Sequence, residues 1–548
     1  MDNTRLILFI VLSFISYMIW DAWQKDYGPK PAPTPTTAAA PTTAKSEKND
    51  LPSVNASPVP ATTPADSAQH AESRNAVHVR TDLLALEINL RGAVIDRAAL
   101  LAYPIDPKTP DVPFQLMAAD STRFFIAQGG LKAEGESPDH HAAFTSAATE
   151  YKLDANTPEL VVPLTWTSPA GVAVTKEFVF KRGSYEVNIR YRVKNASAEA
   201  WRANEYEQLQ RMPDPGQSRI VKTFTGAALS TPEKSYKKFE FSALQKEPLK
   251  VQAKGGWIAV QEHYFVSALI PPATDANHYY SSAIDSTHFA VGYYGPAFTV
   301  APGAEQVVET RLYAGPKLQD SLGQIAPGLE LTIDYGILWF IAKLLFWGLT
   351  HIHGIIGNWG WAIILLTVFV KGMFYPLSAA GYRSMAKMRR VQPRLLAIRE
   401  RYGDDRARLN QAMMDLYKEE KINPLGGCLP ILIQVPVFIS LYWVLLESVE
   451  LRQANFMFWI HDLSTKDPLF VLPLIMGVSM FFQQKMNPAP VDPVQAKVMQ
   501  VLPFAFTVFF AFFPSGLVLY WVVNNVLSIA QQWYITRSIE QAHGAHAH

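Results

Sequence analysis

Cysteine is almost absent. Cys428 is the one cysteine in 548 residues, which excludes an intrachain disulfide and a cysteine-ligated metal cluster. We read it as a small apolar residue packed near the start of a span. Net charge is nearly absent as well, at +1; the sum says little, because what matters is where the charges lie. No DNA partner is expected. The middle of the chain has no nucleophile–base signature, phosphate loop or metal-ligand spacing, so neither a cofactor nor a metal is expected. Acidic pairs there read as solvated surface rather than catalytic dyads, and a carbohydrate-binding or hydrolase role stays open. The final stretch after Arg537, SIEQAHGAHAH, has neither lysine nor arginine.

What is present is apolar sequence, unevenly spread. Residues 6–20 (LILFIVLSFISYMIW) follow a lone Arg5, and no small-x-small cleavage site stands close behind them. The reading is an uncleaved signal anchor over 1–25. Residues 26–76 are rich in Pro, Ala, Thr and Ser and cannot bury enough apolar surface to order themselves, which makes a flexible linker. From 77 to 325 the pattern changes to period two, clearest at 175–193, where Phe178 and Phe180 precede a turn at 181–184 and Tyr185, Val187, Ile189, Tyr191 and Val193 alternate with polar residues. Further strand-like runs lie at 84–90, 160–166, 288–294 and 309–313. The expectation is a large all-β sandwich.

Long apolar runs crowd the last part of the chain. Residues 359–378 form the next span, and 359–377 alone reach roughly 28 Å as a helix, close to the thickness of bilayer hydrocarbon. The stretch 383–421 carries eleven Lys/Arg against six Asp/Glu and belongs in the cytoplasm by the positive-inside rule. A crossing by the preceding stretch would put those charges outside, so 328–350 is read as an amphipathic helix in the outer interface. Within 383–421, Leu395, Ile398 and Tyr402, then Leu409, Met413 and Leu416, fall at helical spacing. This predicts a helical hairpin, with Gly403 closing the first helix, Asp404 or Asp405 capping the second and Pro393 bending the first. Its basic face is either solvated surface or a docking surface for anionic lipid, ribosome or targeting factors. Four further spans follow within 428–535, and 536–548 is a short cytoplasmic tail. The fold class is therefore a polytopic helical membrane protein of six transmembrane helices, five of them forming the core, with an outer all-β domain.

One cation interrupts the 359–378 run, Lys371. A lysine at the bilayer centre costs about 2.5–3.5 kcal/mol on insertion scales and usually faces a protein interior or a wet cavity, although its stem could also snorkel to the headgroups. Thr367 lies one turn before it and shares its face. Gln434 sits in the next span, and Asn524, Asn525, Gln531 and Gln532 in the last. Polar residues on separate helices suggest a shared wet surface.

With these residues in hand, the chain resembles the YidC/Oxa/Alb family of membrane insertases in its Gram-negative form. The stretches that carry the resemblance are Gly255-Gly256-Trp257 with Tyr264-Phe265, then LELTIDYGILWFI, GNWGWAIILLTVFVKGMFYPLS, SMAKMRRVQP, INPLGGCLPILIQVPVF, SVELRQANF with WIHDLS, MGVSMFFQQKM and FPSGLVLYWVVNN. The resemblance implies a non-enzymatic insertase and chaperone in the bacterial inner membrane, with the β domain in the periplasm. Such a protein eases nascent membrane proteins into the bilayer, alone or with the Sec translocon. It also implies a hydrophilic groove open to the cytoplasm and lipid. Lys371 stands where the family usually has arginine, keeping the charge but not the planar fork. Thr367, Gln434, Tyr520 and Trp521 match other groove or substrate-contact positions, Trp521 where a tyrosine is common, and Asn524 and Asn525 extend the set. Because the tail lacks the basic residues that some members offer to ribosomes, Arg389, Arg390, Arg394, Arg399 and Arg401 of the hairpin become the docking candidates. Two other readings of the residues remain: a transporter or channel using Lys371 as an ion site, disfavoured by the lack of an obvious inverted repeat, and a periplasmic enzyme or glycan-binding module anchored by its helices.

Overall fold

A computed structural model of the chain describes residues 75–544, apart from 121–122, 214–222, 286, 404, 421, 423–428 and 488–492. The expected anchor over 1–25, nearly all of the linker, Asp404, Cys428 and the last four residues of the tail lie outside the described residues.

The period-two region forms two sheets, one of ten strands and one of eight. The strands Val172–Lys181 and Glu186–Asn195 form an antiparallel hairpin in register from Val172 with Asn195 to Phe180 with Val187. Gly183 in its turn has φ 70°, a left-handed conformation that glycine adopts without a Cβ clash. Alternation puts Val172, Val174, Phe178, Phe180, Val187, Ile189, Tyr191 and Val193 into the core between the sheets. The ten-stranded sheet is antiparallel except that Ala76–Arg80 pairs parallel with Glu150–Lys152.

Acidic residues are not all on the surface. Glu205 and Glu207, two apart on the strand Trp201–Arg211, are buried, as is Lys176 on the facing sheet. The Lys176 ammonium donates to the carbonyls of Ala93 at 3.1 Å and Gly129 at 3.0 Å. Tyr191 donates to Glu207 at 2.5 Å and Tyr293 to Glu205 at 2.7 Å. Burial, with the Glu207 charge next, pushes the Glu205 carboxyl up to about 8; burial likewise raises Glu207 and lowers Lys176.

The stretch expected as one helix over 328–350 opens as two short 3-10 turns, Leu329–Thr332 and Gly336–Leu338, and the helix proper, α1, is Trp339–Ile356. It therefore runs past 350. Counted with its leading turn, 336–356 is the one unbroken helix among the described residues that is long and apolar enough to cross a membrane. Gly357, at φ 72°, ends it. Helix α2, Trp359–Met373, starts on an Asn358 cap: the Asn358 side-chain carbonyl accepts from the Trp361 amide at 3.1 Å. The same side chain donates to the carbonyls of Asn455 and Phe456. Gly360 faces the Phe456 ring so closely that a Cβ would overlap it.

The continuous run expected over 359–378 breaks at Phe374. Helix α3, Tyr375–Tyr402, leaves α2 at 68°. Pro376, in the first turn of α3, has no N–H to continue the ladder of α2. Gly403 has ordinary right-handed helical angles, so no left-handed glycine cap ends α3. Helix α4, Arg406–Glu419, is capped by Asp405, whose carboxylate accepts from the amides of Ala407 and Arg408. Val391 and Leu395 of α3 pack on Leu416 of α4 and on Ile422, away from the main core. Four more helices complete the chain: α5 Leu429–Glu447, α6 Val471–Met486, α7 Pro493–Phe510 and α8 Ser515–Gly544.

The apolar surface of these helices faces outward. On α2, Trp361, Leu365, Val368 and Phe369 are exposed while Gly360, Ile363, Thr367 and Val370 are buried. On α6, Leu474, Ile475, Val478 and Phe482 are exposed, and on α7 so are Val501, Phe504 and Val508. Contiguous apolar surface of this kind is incompatible with water and suits hydrocarbon. The sandwich sits directly on the end of α5 and the segment that follows it. Arg452 donates to the Pro104 carbonyl at 2.8 Å with its guanidinium 5.7 Å from the Phe114 and Phe265 rings. A ring N–H of His263 meets the Leu446 carbonyl at 2.7 Å.

Candidate functional site

The polar residues of the helical part gather along one seam. Helix α8 supplies most of it, because Tyr520 and Trp521, Asn524 and Asn525, Ser528, and Gln531 and Gln532 recur every three or four residues and so share a stripe. Tyr520, Asn524, Asn525, Ser528 and Gln532 are buried, and Trp521 is half-buried. Helix α2 contributes Thr367 and Lys371, at 2% and 8% exposure. Lys371 therefore points inward and does not snorkel.

Hydrogen bonds tie the seam together in pieces. The Lys371 ammonium donates to the Ser528 hydroxyl at 2.8 Å, and Ser528 donates to the Asn524 carbonyl at 2.7 Å. No carboxylate pairs with Lys371 among the described residues. On α5, the Gln434 amide donates to the Tyr520 hydroxyl. Toward α6, the Asn525 amide donates to Ser479 at 3.0 Å, and Gln532 donates to Met486 and Asn487. Trp521 is held between aromatic rings, with Phe438 at 4.5 Å and Phe510 at 5.2 Å between centroids. Thr367 is apart from this web; its hydroxyl donates to its own helix, at the Ile363 carbonyl.

Much of the seam's capacity for hydrogen bonds is unmet. The side-chain atoms Trp521 Nε1, Asn524 Oδ1, Gln531 Oε1 and Gln532 Oε1 are buried without a partner. Buried polar atoms in native proteins are nearly always satisfied, and each exception asks for a reason such as water or a bound group. Among the described residues the seam thus holds one cation without a carboxylate and four such atoms.

The sequence reading does not single out Ser528 or Ser479. Ser528 lies within its reach, one turn beyond Asn524 on the same stripe; Ser479 has no such neighbour in sequence.

The arginines of the hairpin divide. Arg394 pairs with Glu420 at 2.7 Å, and the Arg401 guanidinium lies 5.4 Å from the Tyr402 ring centre. Arg399 is half-buried, while Arg389 and Arg390 are exposed. The basic residues do not form one uniform surface.

Comparison with known proteins covers the whole chain. Residues 76–348 match the family described as the YidC periplasmic domain, and 351–542 the family described as the 60Kd inner membrane protein. The membrane protein insertase YidC of Methylococcus capsulatus is 50% identical over 545 residues, covering 99% of both chains. That of Nitrosococcus oceani is 47% identical, covering 99% of this chain and 100% of its own. A solved structure of an active YidC insertase covers 85% of this chain and 93% of its own at 17% identity, with a TM-score of 0.39.

Proposed function

This chain belongs to the family of the membrane protein insertase YidC, and from that premise we propose how its residues perform insertion. It is a membrane protein insertase of the inner membrane, with a β-sandwich periplasmic domain joined to a helical region, and its substrates are nascent membrane proteins. Insertion is a non-enzymatic activity.

The observation that carries the mechanism is the seam of α2, α5 and α8, where, among the described residues, Lys371 has no carboxylate and four buried side-chain atoms lack partners. A substrate's polar flank enters this seam from the cytoplasmic side and takes up the unmet hydrogen bonds. Its passage then avoids the cost of carrying unsatisfied polar groups through hydrocarbon. Lys371 draws acidic flanks inward. The substrate's apolar segment meanwhile slides along exposed apolar side chains into lipid, and burial worth about 25 cal/mol per Å² drives the step.

The topology that fits is six crossings: the anchor over 1–25, α2, and α5 to α8. Helix α1, although long enough to cross, lies in the outer interface, because a crossing there would put the basic hairpin outside. The hairpin faces the cytoplasm, where Arg389, Arg390, Arg394, Arg399 and Arg401 meet ribosome or anionic lipid, and the Sec translocon is a partner for a subset of substrates.

The test is reconstitution of the full chain in proteoliposomes with a membrane protein synthesised in their presence. Protease-protected product that depends on the chain, with no flux of small ions or solutes, is the expected result. Flux without protected product would replace this reading by a transporter.

A further inference from the structure

A cavity of about 560 Å³ lies between α6 and α8, with α3 closing one side. Its wall is mostly apolar, with Val478 and Phe482 from α6 and Val526 from α8. Val478, Phe482 and Val526 are 56%, 57% and 52% exposed, so the wall is open rather than filled by the protein's own side chains. Two cations line it, Arg389 of α3 and Lys485 in the last turn of α6, and no acidic residue does. Both are exposed, and neither has an ion-pair partner among the described residues.

We propose that this cavity is a binding site for one anionic phospholipid, its phosphate held by Arg389 and Lys485 and an acyl chain lying against Val478, Phe482 and Val526. The proposal rests on the reading that these helices cross a membrane, and it adds a resident ligand to that reading. Charge complementarity selects the occupant. Two cations without an ion-pair partner among the described residues, Lys485 lying 4.5 Å from the centre of the Phe481 ring, stand at an apolar crevice and call for a molecule with an anionic head and a long apolar tail. An acidic peptide satisfies the cations but leaves Val478 and Phe482 uncovered, and a zwitterionic lipid covers the wall while bringing its own cation to Arg389. Ser479 also lines this cavity, and its hydroxyl accepts the Asn525 amide from the polar seam. The lipid therefore lies directly behind the seam.

Native mass spectrometry of the full chain, released from an equimolar mixture of phosphatidylglycerol and phosphatidylcholine, tests the site. The unaltered chain should retain phosphatidylglycerol over phosphatidylcholine by at least about tenfold, or roughly 1.4 kcal/mol. The pair Arg389→Gln and Lys485→Gln should bring the ratio close to one. The control pair Arg408→Gln and Lys418→Gln, on the same hairpin but outside the cavity, should keep it. Val478→Trp keeps both cations and fills the crevice, and it should lower retention of both lipids. An unchanged ratio in the first pair overturns the proposal, and so does an equal loss in the control pair, which would assign the preference to diffuse basic charge. A photoreactive residue at Val478 that captures nascent chains in place of lipid also overturns it. Circular dichroism and elution volume identify any variant that fails to fold, and Val478→Trp then remains as the independent arm. Insertion measured on the same preparations separates the two claims: lipid preference without insertion would sink the functional reading alone.

Discussion

Replacing Lys371 by methionine separates a groove residue from a structural one. In the folded chain Lys371 is 8% exposed, and among the described residues its ammonium has one hydrogen bond, to Ser528, with no carboxylate beside it. Removing it gives up a charged hydrogen bond of about 1.5–3 kcal/mol and also removes a cost of about 2.5–3.5 kcal/mol for a cation in the bilayer. These offset, so the Lys371→Met chain should melt within a few degrees of the original. Function should respond differently. A substrate carboxylate roughly 6 Å from the ammonium gains about 0.7 kcal/mol if the seam is as wet as bulk water and about 2.8 kcal/mol at an effective dielectric of 20. At about 1.4 kcal/mol per tenfold, insertion of acidic-flank substrates should fall by roughly threefold to a hundredfold. Substrates whose flanks carry no acid should fall much less, and Lys371→Arg should retain most activity on both. The assay is protease protection in proteoliposomes with two substrates that differ only in flank charge. Equal loss on both, together with a lowered melting temperature, would refute the electrostatic role and make Lys371 a packing residue.

Two other perturbations probe the core of the sandwich and the start of α2. Burial raises Glu205 to about 8 in the folded chain, so the folded state holds this proton more tightly than the unfolded one. Its stabilising contribution is complete below the ordinary carboxylate value near 4.5 and is lost as pH rises through about 8. Relative to its intrinsic rate, hydrogen exchange of the strand Trp201–Arg211 should accelerate over that window, and Glu205→Gln should weaken the dependence and raise the melting temperature at pH 9 by at least about 5 °C. Buried Glu207 acts in the same sense and buried Lys176 in the opposite one, so the difference between the two chains is the quantity to read. At the start of α2, Gly360→Ala puts a methyl into the Phe456 ring and should cost about 1–3 kcal/mol by overpacking; thermal aggregation in detergent should show the loss, and Phe456→Leu in the same chain should restore part of it.

Particular residues show how far the sequence could be read. Strict alternation at 175–193 was visible because one face of each strand meets the core, and the hairpin follows it closely. Glu205 and Glu207 were not visible as buried groups. Their burial depends on Lys176 arriving from the other sheet and on Tyr191 and Tyr293 donating to them, all of which are set by tertiary pairing. Lys371 stood out because an apolar run makes any charge conspicuous. Its partner Ser528 did not, because the contact spans 157 positions and requires α2 to pack on α8. The break at Phe374 was hidden for a different reason: hydropathy continues through it, and the change of direction comes from Pro376 and from the amphipathic start of α3.

The claim that the seam is the path of the substrate is tested most directly by photocrosslinking in cells. One probe replaces Gln434, half-buried on α5 and bonded to Tyr520. The other replaces Phe369, which is 67% exposed on the outer face of α2. Adducts to ribosome-bound nascent membrane proteins from Gln434, with few from Phe369, are the predicted result. Adducts from Phe369 with none from Gln434, in a folded and abundant protein, would contradict it.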